Sequence, residues 1–428
     1  MAGTVYGVPV HRGMRIIVAL TIAATGLTGC GLLPSNLSIS AGPTVTLVDE
    51  PVHVTVAGAA AHANVTVTAT EIGEDGVVWS SHATFKADAH GRVDLNKVAP
   101  ISGSYTGVDG GGLLWSMTDP LTAPIDDMLQ APAEGTASLK FVAASAHRRS
   151  GRVIVRRTQR SAGVTVTTPD ADFVGAYAVP ADAPPGPAVV LWGGSEGGLS
   201  TYGDATMFAS HGIRALALAY FDDSGLPKDL KKIPIEYFEL AVSWLASQPG
   251  VEPGKIVIDG TSRGGEAALL TGLHDPQVAG VISIVGDDSV GPATNTDGDG
   301  LGASAWTYDG IPLPYSPSMV NEGQASALIP VAKIPVPILG ACGLDDGIQR
   351  NCLFLQDLMK RRGKHAGDRF FVFPGVGHEI GANWPYESGN YVGAEEVTFG
   401  VTAAADQKVR MQLWPAILNF IKNIPAHH

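Results

Sequence analysis

Two stretches of this chain set a serine between glycines at the G-x-S-x-G spacing. One is Gly193-Gly194-Ser195-Glu196-Gly197 in LWGGSEGG, the other Gly260-Thr261-Ser262-Arg263-Gly264 in IDGTSRGGE. The spacing suits a nucleophile elbow, a strained strand-to-helix turn that exposes a hydroxyl. Farther along, GACGLDD carries Asp345 and Asp346, and FPGVGHEI carries His378. Serine, then aspartate, then histidine is the chain order of one large class of serine hydrolases. In such a set His378 takes the serine proton, and an aspartate orients the imidazole and stabilises its charged form. With 53 glycines in 428 residues, either glycine match alone could arise by chance, so the surrounding elements must choose between the serines.

From about residue 165 to 428 those elements alternate. Apolar runs such as AVVLWGG, RALALAYF, KIVIDG, GVISIVG, VPILGACG and RFFVFPG are separated by helical segments such as IEYFELAVSWLASQ and LFLQDLMKRRG. Near-continuous apolar strands alternating with helices predict an α/β architecture, a mainly parallel sheet covered on both faces. Function in such sheets lies beyond the C-terminal strand ends. Ser262 fits the elbow, since KIVID reads as strand, Gly260 to Gly264 as turn and GEAALLTGL as helix. Asp345 and Asp346 follow one later strand, and His378 follows the next. Ser195 is followed by more glycine before any helix begins. Its loop suits backbone stabilisation of an oxyanion instead, through the N–H of Ser195 or Glu196, with a second N–H from Arg263 after the nucleophile.

Residues 43–164 have another rhythm. Short Val/Thr-rich alternating runs, among them VHVTVAG, NVTVTATEI and ASLKFVAASA, predict about seven strands and a β-sandwich without a catalytic cluster. Ahead of it, Arg12 and Arg15 form a positive region before a short apolar run, Ile16 to Thr25, and Leu27-Thr28-Gly29-Cys30 is similar to a bacterial lipobox. This predicts a signal peptide over 1–30, lipidation of Cys30, a linker over 31–42, and an extracytoplasmic protein anchored to the cell membrane. Export into an oxidising compartment predicts a Cys342–Cys352 disulfide. The formal net charge of −13 argues against nucleic acid as a partner. No metal or cofactor is expected. Asn295, Asp297 and Asp299 in NTDGDG match only the opening of a calcium loop, and a turn is the simpler expectation. The segment 286–330 is a place for a lid or acyl pocket, with Trp306, Tyr308 and Tyr315 either lining it or packing.

The chain resembles the family of acyl-CoA thioesterases and bile acid-CoA:amino acid N-acyltransferases. LVDEPVHVTVAG, GRVDLN and YTGVDGGGLLWSM carry the resemblance in the first half. FASHGIRALALAYFDDSGLP, IEYFELAVSWLASQPGV, GTSRGGE and FPGVGHEI carry it in the second. The resemblance implies an α/β-hydrolase domain preceded by an immunoglobulin-like β-sandwich. It puts a catalytic triad on Ser262, Asp346 and His378, with Asp346 chosen because the G-x-x-D pattern read from Gly343 ends there. Serine in place of cysteine implies hydrolysis of fatty acyl (thio)esters through an acyl-enzyme. The alternatives are an extracytoplasmic carboxylesterase or acyltransferase acting on envelope lipids and, last, a non-enzymatic binding lipoprotein. GIQRNC after Asp346 and EIGANWPY after His378 depart from the family pattern. Acyl-CoA is cytosolic, so substrate and lipobox point to opposite sides of the membrane.

Overall fold

Strict alternation leaves the backbone between 64 and 86 little choice. Asn64–Ile72 turns Val65, Val67 and Ala69 to one face and pairs antiparallel with Val78–Lys86, which turns Trp79, Ala83 and Phe85 the same way. Val45–Leu47, Arg148–Thr158, Ala137–Ser145 and Ser102–Gly103 complete a six-stranded sheet. A second sheet of Ser38–Gly42, His53–Ala57 and Val93–Asp94 contributes Val54, Val56 and Val93 to the same core. The computed structural model describes residues 36–73, 76–118, 136–146, 148–295, 298–317, 324–381, 384–386 and 401–427. The expected signal peptide, Cys30 and the first linker residues lie outside them.

Residues 38–42 correct one expectation. Their serine-rich composition reads as linker, yet Ser38–Gly42 forms a strand in register with His53–Ala57. Leu37 and Ala41 are buried. Pairing the backbone groups in a ladder and burying two apolar side chains outweigh the weak strand preference of serine and glycine.

The larger sheet has eight strands: β1 (Thr165–Thr167), β2 (Val174–Val179), β3 (Gly186–Trp192), β4 (Arg214–Ala219), β5 (Val251–Thr261), β6 (Val278–Ile284), β7 (Ile338–Gly343) and β8 (Arg369–Phe373). Their spatial order is β1-β2-β4-β3-β5-β6-β7-β8. The pairs from β4 through β8 are parallel, while β1–β2 and β2–β4 are antiparallel. Parallel neighbours need crossovers, and helices supply them. These are α1 (Tyr202–Ser210), α2 (Ile235–Ala246), α3 (Arg263–His274) and α4 (Asn351–Arg362), followed by α5 (Ala403–Lys422). α1 and α5 pack on one face through Phe208, Leu413, Trp414 and Ile417, and α2 and α3 cover the other through Phe238, Val242, Ala267 and Leu270. This is the α/β-hydrolase fold.

The smaller sheets are tied to this body. Asp49 Oδ2 accepts hydrogen bonds from His211 Nε2 at 2.6 Å and from Trp414 Nε1 at 2.8 Å. Arg157 donates to the carbonyls of Val48 and Tyr386. Among the described residues no helix is long and apolar enough to cross a membrane.

Candidate active site

Ser262 lies between β5 and α3 with φ 55° and ψ −121°. A non-glycine residue at positive φ is strained and persists only where its surroundings hold it. Two close approaches do so here. A Cβ on Gly260 would come within 2.1 Å of the Gly264 carbonyl oxygen, and one on Gly264 within 2.2 Å of the Gly193 carbonyl oxygen. Glycine alone admits that packing. The Ser262 N–H donates to Ile284 O at 2.9 Å, anchoring the turn to the end of β6.

Behind the turn lies a buried ion pair. Arg263 Nε sits 2.8 Å from Glu266 Oε1. Glu266 Oε2 accepts from Trp306 Nε1 at 2.6 Å and from the Gly291 N–H at 3.0 Å. Trp306 is therefore a core partner of the elbow helix. Tyr308 stacks on His274 at 3.8 Å between ring centroids, and Tyr315 packs against the α2/α3 core. None of these three aromatics lines the cavity beside Ser262. The Asp299 N–H donates to Asn295 Oδ1 at 2.7 Å, and Asp297 lies outside the described residues.

The structure separates the two neighbouring aspartates. Asp346 Oδ2 accepts a hydrogen bond from His378 Nδ1 at 2.7 Å and another from the Asn351 amide. Its Oδ1 accepts the N–H groups of Ile348 and Gln349, at 2.8 and 3.0 Å. Every lone-pair direction of this carboxylate is thus turned toward a donor, which fixes its orientation. Asp345 faces elsewhere, and its Oδ2 accepts the Gly375 N–H at 2.6 Å. Cys342, the second-last residue of β7, and Cys352, in the first turn of α4, form a disulfide across the loop that carries Asp346.

The loop after β3 reaches the same place because β3 and β5 are neighbours, with Trp192 opposite Gly260. A Cβ on Gly194 would lie 2.9 Å from the Ser262 Cβ, so the loop backbone passes directly over the serine. Glu196 folds back on its own loop. Its carboxylate accepts the Gly194 N–H at 2.9 and 3.0 Å and the Ser200 hydroxyl at 2.7 Å. Tyr220 holds the loop from beneath, donating to the carbonyls of Gly193 and Gly194. Burial, reinforced by the charge of Glu196, pushes the Tyr220 hydroxyl well above its usual range, so it remains a donor.

Ser262, His378, Ser195 and Glu196 all line one cavity of about 520 Å³. Leu191, Phe208, Ile284, Leu413, Trp414 and Ile417 form its apolar wall. Sequence reasoning missed Tyr220, Asn351 and Glu266, whose partners are remote in the chain. It also missed Asp259, an acid at the end of the otherwise apolar run IVID and part of the cavity lining. That interruption was the available signal.

Two family models match the chain. One is described as the acyl-CoA thioester hydrolase/BAAT N-terminal region and matches residues 49–168; the other is the BAAT/acyl-CoA thioester hydrolase C terminal and matches residues 233–297. Both models describe the acyl-CoA thioester hydrolase/BAAT family, which the chain resembles in its first and second halves. Full-length similarity to other proteins runs the same way. A peroxisomal succinyl-coenzyme A thioesterase of Mus musculus is 28% identical over 89% of this chain and 95% of its own length. Acyl-coenzyme A thioesterase 6 of Homo sapiens is 29% identical over 87% of this chain and 93% of its own length. Among solved structures, the α/β hydrolase GrgF from Penicillium sp. sh18 is 16% identical over 61% of this chain and 98% of its own, with a TM-score of 0.40. The relatives named here are thioesterases, and both family models are described as regions of acyl-CoA thioester hydrolases.

Proposed function

We propose that the protein hydrolyses acyl thioesters, acyl-CoA among them, through an acyl-enzyme formed on Ser262. One observation carries the reading: the Asp346–His378 pair and the strained Ser262 turn open on the same cavity. In this reading Ser262 Oγ attacks the acyl carbonyl while His378 Nε2 takes its proton. Asp346 keeps the Nδ1–H tautomer and stabilises the imidazolium. Backbone N–H groups of Ser195 or Glu196, with that of Arg263, hold the oxyanion. Collapse of the tetrahedral species breaks the carbonyl–sulfur bond, and His378 returns its proton to the departing thiolate. Water, deprotonated by His378, then attacks the acyl-enzyme, and Ser262 regains its proton as the acid leaves. The apolar wall of the cavity is suited to an acyl group. A fluorophosphonate probe should label Ser262 covalently. Purified protein should hydrolyse an acyl-CoA series faster than p-nitrophenyl esters of matched chain length. Labelling with faster ester cleavage would instead favour a general carboxylesterase.

A second reading concerns location. The lipobox-like Leu27–Cys30 and the Cys342–Cys352 disulfide both fit an exported, lipid-anchored hydrolase that acts on envelope acyl esters. Fractionation with mass spectrometry of the N-terminus tests it. A diacylglyceryl Cys30 in the membrane fraction supports export. Soluble cytosolic protein with residues 1–30 intact overturns it.

A further inference from the structure

The cavity holds an acid that the hydrolytic steps do not use. Asp259 lies three residues before Ser262 on β5. Val257, two residues earlier, packs into the core beneath α1 and α5, and strand side chains alternate between faces. Asp259 therefore faces the same side, where it lines the cavity among Leu191, Phe208, Ile284, Leu413 and Trp414. Removal from water pushes its carboxyl up to about 7. A carboxyl group in such a place is costly unless something pairs with it, and an aliphatic residue would be the cheaper occupant. Three further acids, Glu196, Asp204 and Glu379, line the cavity, and among the described residues no lysine or arginine does.

We propose that Asp259 is a specificity-determining residue that hydrogen-bonds a hydroxyl group on the acyl chain, while the acidic lining rejects an acyl group ending in a carboxylate. The proposal rests on the hydrolytic reading above. A hydroxyl suits Asp259 in either protonation state, since both forms accept a hydrogen bond, whereas an ammonium group needs the ionised form. A plain alkyl chain would cover Asp259 and leave it unpaired, and sites built to bind a substrate hydroxyl discriminate strongly against the analogue that lacks it. Asp259 and Ser262 line the same cavity, so a medium-length chain attached at Ser262 can bring a terminal hydroxyl to Asp259.

The test measures kcat/KM of the purified full chain on hexanoyl, 6-hydroxyhexanoyl, 6-aminohexanoyl and adipoyl thioesters of CoA. The hydroxylated substrate should exceed hexanoyl by about 10- to 100-fold, and adipoyl should be slowest. Asp259→Leu should invert the first ratio. Asp259→Asn, which keeps shape and hydrogen bonding, should retain the hydroxyl preference and relieve part of the discrimination against adipoyl. The wild-type ranking decides by itself if a variant fails to fold. A preference for hexanoyl, or an Asp259→Leu ratio within twofold of wild type, overturns the proposal. A 6-aminohexanoyl rate above that of the hydroxylated substrate overturns it in favour of cation selection. Fluorophosphonate labelling with an unchanged ratio sinks the specificity claim alone, while no labelling and no turnover sink the hydrolytic reading with it.

Discussion

His378 Nδ1 and Asp346 Oδ2 lie 2.7 Å apart, with the Asp346 carboxylate 1% exposed and the imidazole 11% exposed. Asp345, its chain neighbour, points away to the backbone of Gly375. Asp346→Asn should therefore lower kcat by about 10³- to 10⁴-fold by disturbing the imidazole tautomer. Asp345→Asn should cost less than about tenfold. Steady-state kinetics of both variants on one thioester checks this, and equal severe losses would contradict the separation of roles.

Ser262→Ala should abolish fluorophosphonate labelling and reduce turnover by several orders of magnitude, leaving only residual catalysis from the oxyanion site. Ser195→Ala should stay within about tenfold of wild type, because the proposal uses only its backbone N–H. An inactive Ser195→Ala beside an active Ser262→Ala would reverse the two loops.

The Cys342–Cys352 disulfide spans a sequence separation of 10. In the chain-entropy picture, closing such a loop stabilises the fold by about 2–3 kcal/mol. A double Cys342→Ala/Cys352→Ala variant should lose that amount in urea denaturation, and adding reductant to wild type should approach it. Two alkylatable thiols in unreduced protein would contradict the bridge.

Asp259 gives a pH dependence of defined sign. Its carboxyl rises from 3.8 to about 7 on folding, so between those values the folded chain binds more protons than the unfolded one. Its contribution to stability then falls as pH rises through that window. Asp259→Asn removes the fall. Its Tm relative to wild type should climb by at least about 2 °C from pH 4 to pH 8, as read by calorimetry. A difference that does not change with pH would refute the assignment.

Asp49 gathers the His211 and Trp414 donors where the smaller sheets meet α1 and α5. Asp49→Ala leaves the buried Trp414 indole without this acceptor. It should destabilise the chain by about 1–3 kcal/mol while leaving kcat near wild type. Denaturation and kinetics measured on one preparation separate the two effects.

The parallel α/β body was legible in the chain because continuous apolar strands such as RALALA and VAGVISI need cover on both faces, a requirement written in local residue order. Ser262, the Asp345/Asp346 pair and His378 could be singled out for a related reason: each follows a strand, and parallel strands bring their C-terminal ends to one rim. What side chains do once they arrive was not legible. Local pattern treats Asp345 and Asp346 alike, and only the loop's path to α4 turns one toward His378. Nor does it show that Trp306 bonds Glu266 in the core, or that Asp259 faces the cavity. Such contacts join residues tens of positions apart, and packing between elements selects them. The strand at Ser38–Gly42 belongs with these: its residues have little preference of their own, and the partner at His53–Ala57 makes it a strand.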